Sequence, residues 1–225
     1  MKISSGSVLI DNLLDGGFET GIITTIYGPA GSGKTNICLL TSIRSVFDNK
    51  KIIYVDTDSS FSVERLKQLT KDYEKILDKT IFLKPISFDE QKKCFDKLRD
   101  LTKENIGLII IDSISMLYRL ELGKTNDVYD VNKELGLQLS YLNEVARKKD
   151  IPILITNQVY TDFQDNHIKM VGGDLLKYGS KCLIELKKFG KGVRQCIVKK
   201  HRSIEEDKSF FFKIIENGIE KFTPP

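Results

Sequence analysis

The 225-residue chain has few of the residues that define several classes of protein. It contains no tryptophan, two histidines and four cysteines. The cysteines are far apart and form no C-x-x-C pair; they are Cys38, Cys94, Cys182 and Cys196. A disulfide framework and a zinc site of the usual spacing are therefore not expected, and a reducing cytoplasm is the expected compartment.

Long apolar runs are also absent. No stretch approaches the roughly 18 consecutive apolar residues of a membrane span, and the N-terminus lacks the apolar core of a signal peptide. Apolar residues make up 40% of the chain and charged residues 29%, which is ordinary for a globular protein. No association with a membrane is expected.

Positive charge is concentrated in one part of the chain. The net charge is +4, but residues 177–202, called here the basic segment, carry nine lysines and arginines against the single acid Glu185. A block of one sign favours a polyanion as partner. Lysines that shield the exposed edge of a sheet would produce the same pattern, and charge alone leaves both interpretations open.

One glycine-rich stretch, residues 28–35, follows the phosphate-loop pattern G-x-x-x-x-G-K-[ST]. An apolar, β-branched run precedes it and a helical pattern follows it, so its backbone N–H groups and the helix N-terminus could bind phosphates. The pattern predicts ATP and Mg²⁺ as cofactors, with Lys34 on the β- and γ-phosphates and Thr35 on the metal. The predicted nucleotide-binding residues are Gly28, Pro29, Ala30, Gly31, Ser32, Gly33, Lys34 and Thr35.

Strand and helix patterns alternate along most of the chain, which predicts a mostly parallel sheet flanked by helices. After residue 172 the pattern changes to strands joined by short turns, which predicts antiparallel strands at one edge. No repeat or linker is visible, so a single α/β domain over residues 1–225 is expected. The predicted strands are 22–27, 51–56, 81–83, 107–112, 152–157, 182–188, 194–199 and 210–215.

Asp112 ends a strand of four apolar residues, 108–111. This is the Walker-B arrangement, in which the carboxylate holds Mg²⁺ close to the phosphate-loop hydroxyl of Thr35. An aspartate that only caps a strand would fit the same position, and the two roles are compatible.

Further polar residues follow the neighbouring strands. Asp58 comes two residues after strand 51–56 and is the predicted carboxylate that orients the attacking water, with Asp56 as its competitor. Gln158 follows strand 152–157, where its amide could donate to a γ-phosphate and signal the presence of that group to the next loop. The predicted catalytic residues are Asp58, Lys34 and Gln158.

Several motifs follow one another along the chain: Ser5-Gly6, Leu13-Leu14-x-Gly16-Gly17, Gly21-x-Ile23-Thr24, the phosphate loop, Asp56-Thr57-Asp58, Phe61-x-x-Glu64-Arg65-Leu66, Asp112-Ser113-x-x-x-Leu117-Tyr118-Arg119, Ile155-Thr156-Asn157-Gln158-Val159 and Gly172-Gly173. In this order and spacing the sequence resembles the RecA/RadA recombinases over nearly its whole length. The short length and Lys200-His201-Arg202-Ser203 are similar to a short archaeal paralogue within that family.

The resemblance implies a RecA-like ATPase core that binds DNA and serves homologous recombination and repair. It implies that Gln158 senses the γ-phosphate, that Asp58 stands in the place of a catalytic glutamate, that Arg119 lies in a first DNA-binding loop and that residues 159–171 form a second. Lys199 and Lys200 could alternatively touch a nucleotide across a subunit interface. The predicted DNA-binding residues are Arg119, Lys187, Lys188, Lys199, Lys200 and Arg202.

Three departures from the family pattern modify these expectations. Asp58 is one methylene shorter than glutamate, the second loop is short with a net charge of −1, and no N-terminal DNA-binding domain or polymerisation segment is recognisable. We therefore expect weak ATPase activity, no strand exchange by this protein alone, and a monomer or small homo-oligomer instead of long filaments. Single-stranded or branched DNA and the RadA recombinase are the expected partners.

Two other functions fit parts of the pattern. An active strand-exchange recombinase would share every motif, and a signalling ATPase or kinase of the same core would bind ATP without DNA. Tyr118 and Phe163 could stack on bases, although such aromatics more often pack inside the protein or lie singly on its surface.

Overall fold

The structure is a computed structural model that describes residues 1–102, 105–161 and 168–224. Its strands are β1 (Lys2–Ile3), β2 (Phe18–Glu19), β3 (Ile23–Tyr27), β4 (Lys51–Asp56), β5 (Thr80–Leu83), β6 (Ile106–Asp112), β7 (Ile153–Asn157), β8 (Val159–Thr161), β9 (Ile168–Met170), β10 (Cys182–Gly190), β11 (Val193–Lys200), β12 (Ser209–Ile215) and β13 (Gly218–Phe222). Its helices are α1 (Val8–Leu13), α2 (Lys34–Phe47), α3 (Val63–Leu69), α4 (Tyr73–Asp78), α5 (Phe88–Leu101), α6 (Ser115–Leu122), α7 (Val128–Lys149) and α8 (Gly173–Gly179). None of these helices combines the length and the apolar character needed to cross a bilayer.

Nine of the strands form one sheet in the order β13-β12-β11-β10-β3-β7-β6-β4-β5. The strands from β10 to β5 are parallel, whereas β11, β12 and β13 extend the β10 edge in antiparallel fashion. This confirms the predicted RecA-like α/β class with antiparallel C-terminal edge strands. The sequence pattern missed β13 and the two small sheets β1-β2 and β8-β9. The strands of the small sheets have only two or three residues, which are too few to show a period.

Both faces of the parallel part are covered by helices. Along β4, Ile52 and Tyr54 point into a cluster that includes residues of α1 to α4, while Ile53 and Val55 point into a second cluster that includes residues of α5 to α8. This two-sided burial explains why the central strands are apolar throughout instead of alternating. Each fully buried aliphatic side chain contributes about 1.5–3 kcal/mol of hydrophobic stabilisation, and these strands are the rigid base of the site described below.

The central strands end level with one another. Tyr27 at the end of β3 is paired with Asn157 at the end of β7, and Asp56 at the end of β4 is paired with Asp112 at the end of β6. Residues that follow these strands therefore converge on one crevice at the carboxyl edge of the sheet, the usual ligand position in an open α/β sheet.

Arg65 fastens the antiparallel edge to the helix that follows the phosphate loop. It lies in α3, which begins after Ser62 as expected, and the Ser62 hydroxyl accepts the Arg65 N–H at 3.1 Å. The Arg65 guanidinium donates to Oδ1 of Asn36 in α2 at 2.9 Å and to the carbonyl oxygens of Ile215 and Glu216 in the β12–β13 turn, both at 2.8 Å. The edge strands are thereby held next to α2.

Candidate nucleotide-binding site

The phosphate loop connects β3 to α2, as the pattern predicts. Gly33 has φ 104° directly before the helix begins at Lys34, a conformation that glycine adopts at little cost. A Cβ on Gly28 would lie 2.3 Å from the carbonyl oxygen of Leu186 in β10. The loop therefore needs glycine at this position because it passes directly against the neighbouring strand.

The ammonium of Lys34 lies across its own loop. Its Nζ donates to the carbonyl oxygens of Gly28 at 2.8 Å and Pro29 at 3.0 Å. Burial lowers the pKa of Lys34, and the Asp112 and Asp58 carboxylates act in the opposite direction. A partly buried cation at the centre of a glycine-rich loop is suited to bind a polyphosphate as a point charge.

Asp112 is the most heavily hydrogen-bonded group of the site. Its buried carboxylate accepts the hydroxyls of Thr35 at 2.8 Å, Tyr54 at 2.7 Å and Ser60 at 2.7 Å, and a further hydrogen bond from the Thr156 hydroxyl. These donors come from α2, β4, the loop after β4 and β7. Thr35 and Asp112 are thus adjacent, as the sequence pattern predicts. The hydrogen bonds from Tyr54, Ser60 and Thr156 were not predicted, because single hydroxyl residues belong to no recognisable motif.

Asp58 and Asp56 have different surroundings although they are two residues apart. Asp56 Oδ1 accepts the Ser60 N–H at 2.9 Å, which orders the loop. Asp58 Oδ1 is buried and has no hydrogen-bond partner among the described residues. Burial, followed by the charge of Asp112, raises the pKa of Asp58. The geometry favours a structural role for Asp56 and leaves Asp58 with a free carboxylate oxygen in the crevice.

The oxygen atoms in the crevice fit a magnesium ion. Mg²⁺ prefers oxygen ligands and is usually bound by one or two carboxylates together with substrate phosphates. Thr35 and Asp112 supply a hydroxyl and a carboxylate at adjoining positions, and the unpartnered Asp58 oxygen lies on the same side of the sheet. Within the described part of the chain no cluster of three His, Cys, Asp or Glu side chains forms an alternative metal site.

Gln158 connects the crevice to α6 and to the β8-β9 hairpin. Its backbone N–H donates to the Ser115 hydroxyl at 3.3 Å, and its carbonyl oxygen accepts the Val171 N–H at 3.1 Å. Asn157 Nδ2 donates to the Val171 carbonyl oxygen at 2.9 Å. The predicted γ-phosphate sensor is therefore in direct contact with both predicted DNA-binding elements.

The two predicted DNA-binding loops are described to different extents. Arg119 is exposed on α6, but Tyr118 is buried, packs edge-on against Phe88 and donates to Asn132 Oδ1 at 2.5 Å. Stacking of bases on Tyr118 is thus wrong, because the ring belongs to the core. In the second loop, residues 162–167, which include Phe163, lie outside the described residues.

Lys187 and Lys188 are exposed neighbours that point to opposite faces of β10. Lys187 lies 3.4 Å from Glu185. The Lys188 ammonium lies 3.3 Å from the point that a Cβ on Gly31 would occupy. Lys188, predicted to bind DNA, is therefore directly above the phosphate loop.

The other predicted DNA-binding residues of the basic segment have acceptors within the protein. Lys199 contacts Asp207 at 2.5 Å and Arg202 contacts Glu19 at 2.6 Å. Lys200 donates to two backbone carbonyl oxygens at the C-terminal end of α8, at 2.5 and 2.8 Å, where a cation is favourable to the helix. Glu19 and the end of α8 are distant in the sequence from the cations that they accept, so a charge count could not reveal these contacts.

Comparisons with known proteins agree with this fold. The family model described as Rad51 matches residues 1–222. A protein from Methanococcus maripaludis named DNA repair and recombination protein RadB is 44% identical over 214 residues, 94% of this chain and 97% of that protein. A Methanocaldococcus jannaschii protein of the same name is 41% identical over 94% of this chain and 99% of its own length. A solved structure titled "Crystal structure of the RadB recombinase" is 34% identical, has a TM-score of 0.83, and the match covers 98% of this chain and 100% of that one.

The buried Oδ1 of Asp58, which has no hydrogen-bond partner among the described residues, leads to a prediction on stability. Folding raises the pKa of Asp58, so the protonated carboxyl favours the folded state. This stabilisation is fully present below the unfolded pKa and is lost as the pH rises through the folded pKa. We expect Asp58→Asn to melt about 2–4 °C higher than the parent near pH 7 without Mg²⁺, the shift that about 1 kcal/mol produces in a chain of this size. The gain should disappear towards about pH 4.

Thermal unfolding followed by circular dichroism measures the effect. Asp96→Asn, which removes an exposed carboxylate from α5, is the matched control and should leave the melting temperature unchanged. A lower melting temperature for Asp58→Asn, or an equal gain in the control, would contradict the interpretation.

Proposed function

The chain belongs to the Rad51 family, and from that premise we propose that it is an ATP- and DNA-binding accessory protein of homologous recombination and DNA repair. In this proposal residues 1–225 act as one RecA-like ATPase domain with slow ATP hydrolysis and no strand exchange of its own. The observation that carries the proposal is the contact between the Thr35 hydroxyl at the end of the phosphate loop and the buried Asp112 carboxylate. The names of the RadB relatives support the assignment to DNA repair and recombination.

Nucleotide binding follows from the charges and donors of the phosphate loop. The backbone N–H groups of the loop and the first turn of α2 would hold the phosphates, and Lys34 would move from its two loop carbonyls to the β- and γ-phosphates. Thr35 and Asp112 would hold Mg²⁺, which neutralises the phosphate charge when it is bound. The hydroxyls of Tyr54, Ser60 and Thr156 donate to the Asp112 carboxylate and hold it in its orientation.

The nucleotide assignment predicts the effect of Lys34→Ala. A charge-assisted contact of this kind is worth roughly 1.5–3 kcal/mol, so ATP–Mg²⁺ should bind about 10- to 100-fold more weakly. Isothermal titration calorimetry measures the change, with Lys71→Ala as control because Lys71 is exposed and outside the site. Equal affinity in the parent and Lys34→Ala would refute the nucleotide site.

Slow hydrolysis follows from the length of the Asp58 side chain. A carboxylate that orients the attacking water must reach it within hydrogen-bond distance. Asp58 has the free oxygen that this role needs, but its side chain is one methylene shorter than the glutamate implied by the family resemblance. Its raised pKa also leaves less of the ionised form as pH falls.

Lengthening this side chain tests its role. Asp58→Glu should raise kcat for ATP by about tenfold or more, because a misplacement of about 1 Å can cost on the order of 10²-fold in rate. KM should change little, since the phosphate loop supplies the binding. Steady-state phosphate release measures both values, Asp58→Asn should abolish turnover, and a lower kcat in Asp58→Glu would count against the role.

DNA binding is best supported at Arg119 and Lys187. Both are exposed, and Phe189, two residues after Lys187 on the same face of β10, is 61% exposed with its ring 5.0 Å from Phe211. A cation beside exposed aromatic rings suits a single strand, in which phosphates bind the cation and bases stack. Lys199, Lys200 and Arg202 could join only by giving up the acceptors described above, and Lys187 would exchange its 3.4 Å contact with Glu185 for a phosphate.

The DNA interface predicts a change in salt dependence. Lys187→Ala should weaken binding to single-stranded DNA and reduce the slope of log affinity against log salt by about 0.7 units, the contribution of one phosphate contact on a single strand. Fluorescence anisotropy at several salt concentrations measures the slope, with the exposed Lys133→Ala in α7 as control. An unchanged slope would favour an ATPase of this family that acts on protein partners.

Association with the RadA recombinase is supported by the open edge of the sheet. In the described part of the chain β5 pairs only with β4, and its four residues are half-buried. An exposed strand edge can accept an extended segment of another chain by backbone hydrogen bonding. Binding at this edge would leave the nucleotide crevice and Lys187 accessible.

A further inference from the structure

The β10-β11 hairpin places two cations against the outer side of the phosphate loop. Lys188 and Arg194 are cross-strand partners, and Arg194 is in turn paired with Phe212 in β12. All three side chains lie on the sheet face that carries α2. A Cβ on Gly33 would approach the Phe212 ring at 3.8 Å and Arg194 Cδ at 3.9 Å. The loop therefore rests on this row of side chains.

Arg194 is hydrogen-bonded to the loop itself. Its Nε and Nη2 donate to the carbonyl oxygen of Gly31 at 3.2 and 3.1 Å. Its Nη1 donates to the carbonyl oxygen of Gly192 at 2.7 Å in the hairpin turn. The guanidinium thus joins the middle of the phosphate loop to the hairpin by three donors in one plane, an arrangement that lysine cannot reproduce.

Lys188 occupies the space next to the same loop residue. Its Nζ is 3.3 Å and its Cε 3.5 Å from the position of a Cβ on Gly31, and Gly31 has φ +71°. A larger residue at Gly31 would displace this cation. Burial is the main cause of the lowered pKa of Lys34, and the nearby charge of Lys188 acts in the same direction to a smaller extent.

We propose that Arg194 is a positioning residue for the phosphates of a bound nucleotide, with Lys188 adding positive potential from the same hairpin. Arg194 binds the Gly31 carbonyl oxygen from outside and thereby orients the peptide groups of the loop with their N–H donors toward the crevice. This inference rests on the proposed nucleotide-binding function. In this proposal Lys188, which the sequence predicted to bind DNA, acts at the nucleotide site instead.

The test compares Arg194→Ala, Arg194→Lys and Lys191→Asn by titration with ATP–Mg²⁺ and by thermal unfolding without nucleotide. Lys191 lies at the exposed hairpin tip with φ 45°, which asparagine tolerates, so this control removes one charge from the same hairpin. We expect about tenfold weaker ATP binding in Arg194→Ala, equivalent to about 1.4 kcal/mol. Arg194→Lys should be nearly as weak, Lys191→Asn should bind like the parent, and the melting temperature without nucleotide should be unchanged.

Several outcomes would overturn the inference. The inference is wrong if Arg194→Ala binds ATP–Mg²⁺ with the affinity of the parent. It is also wrong if Arg194→Lys does so, because a positive charge at this position would then be sufficient. A lower melting temperature without any loss of affinity would show a purely structural role. Lys34→Ala, measured in parallel, separates the two proposals. If Lys34→Ala and Arg194→Ala both bind ATP like the parent, the nucleotide site itself is wrong. If Lys34→Ala binds weakly and Arg194→Ala binds like the parent, only the role of Arg194 is rejected.

Discussion

The site depends on one buried negative charge, the Asp112 carboxylate. Burying a carboxylate is costly unless hydrogen bonds compensate for the lost water. Here four hydroxyls, from Thr35, Tyr54, Ser60 and Thr156, donate to it. Because these donors come from α2, β4, the following loop and β7, satisfying the charge also fixes how the four elements meet. The crevice is therefore a product of electrostatics as much as of the sheet beneath it.

The phosphate loop lies between groups of opposite charge. On its inner side are the carboxylates of Asp112 and Asp58, which favour the charged form of Lys34, and on its outer side is Lys188, which disfavours it. A phosphate chain entering the crevice would meet Lys34 and the loop N–H groups on one side and carboxylates on the other. A divalent cation next to Thr35 would remove that repulsion, which explains why nucleotide and metal are expected to bind together.

Sequence patterns predicted the features whose signal lies within short stretches of the chain. The phosphate loop, the Walker-B aspartate and the parallel sheet depend on short motifs and on residues buried on both sides, and the fold confirms the α/β class. The position of Arg194 depends on the register between β10 and β11 and on the packing of β12 against the loop, and no local pattern encodes either. Tyr118 illustrates the same limit, because its burial under Phe88 is set by how α5 packs against α6.

The basic segment shows why charge along a sequence differs from charge on a surface. Strand alternation sends Lys187 and Lys188 to opposite faces, and tertiary packing gives Lys199, Lys200 and Arg202 acceptors of their own. The protein surface that is available to bind a polyanion is thus smaller than the count of lysines and arginines indicates. Adjacent residues of one strand are about 3.3 Å apart along its axis. Even so, Lys188 lies beside the phosphate loop, whereas Lys187 lies on the opposite face next to Glu185, so two adjacent positive charges of the sequence belong to different surfaces.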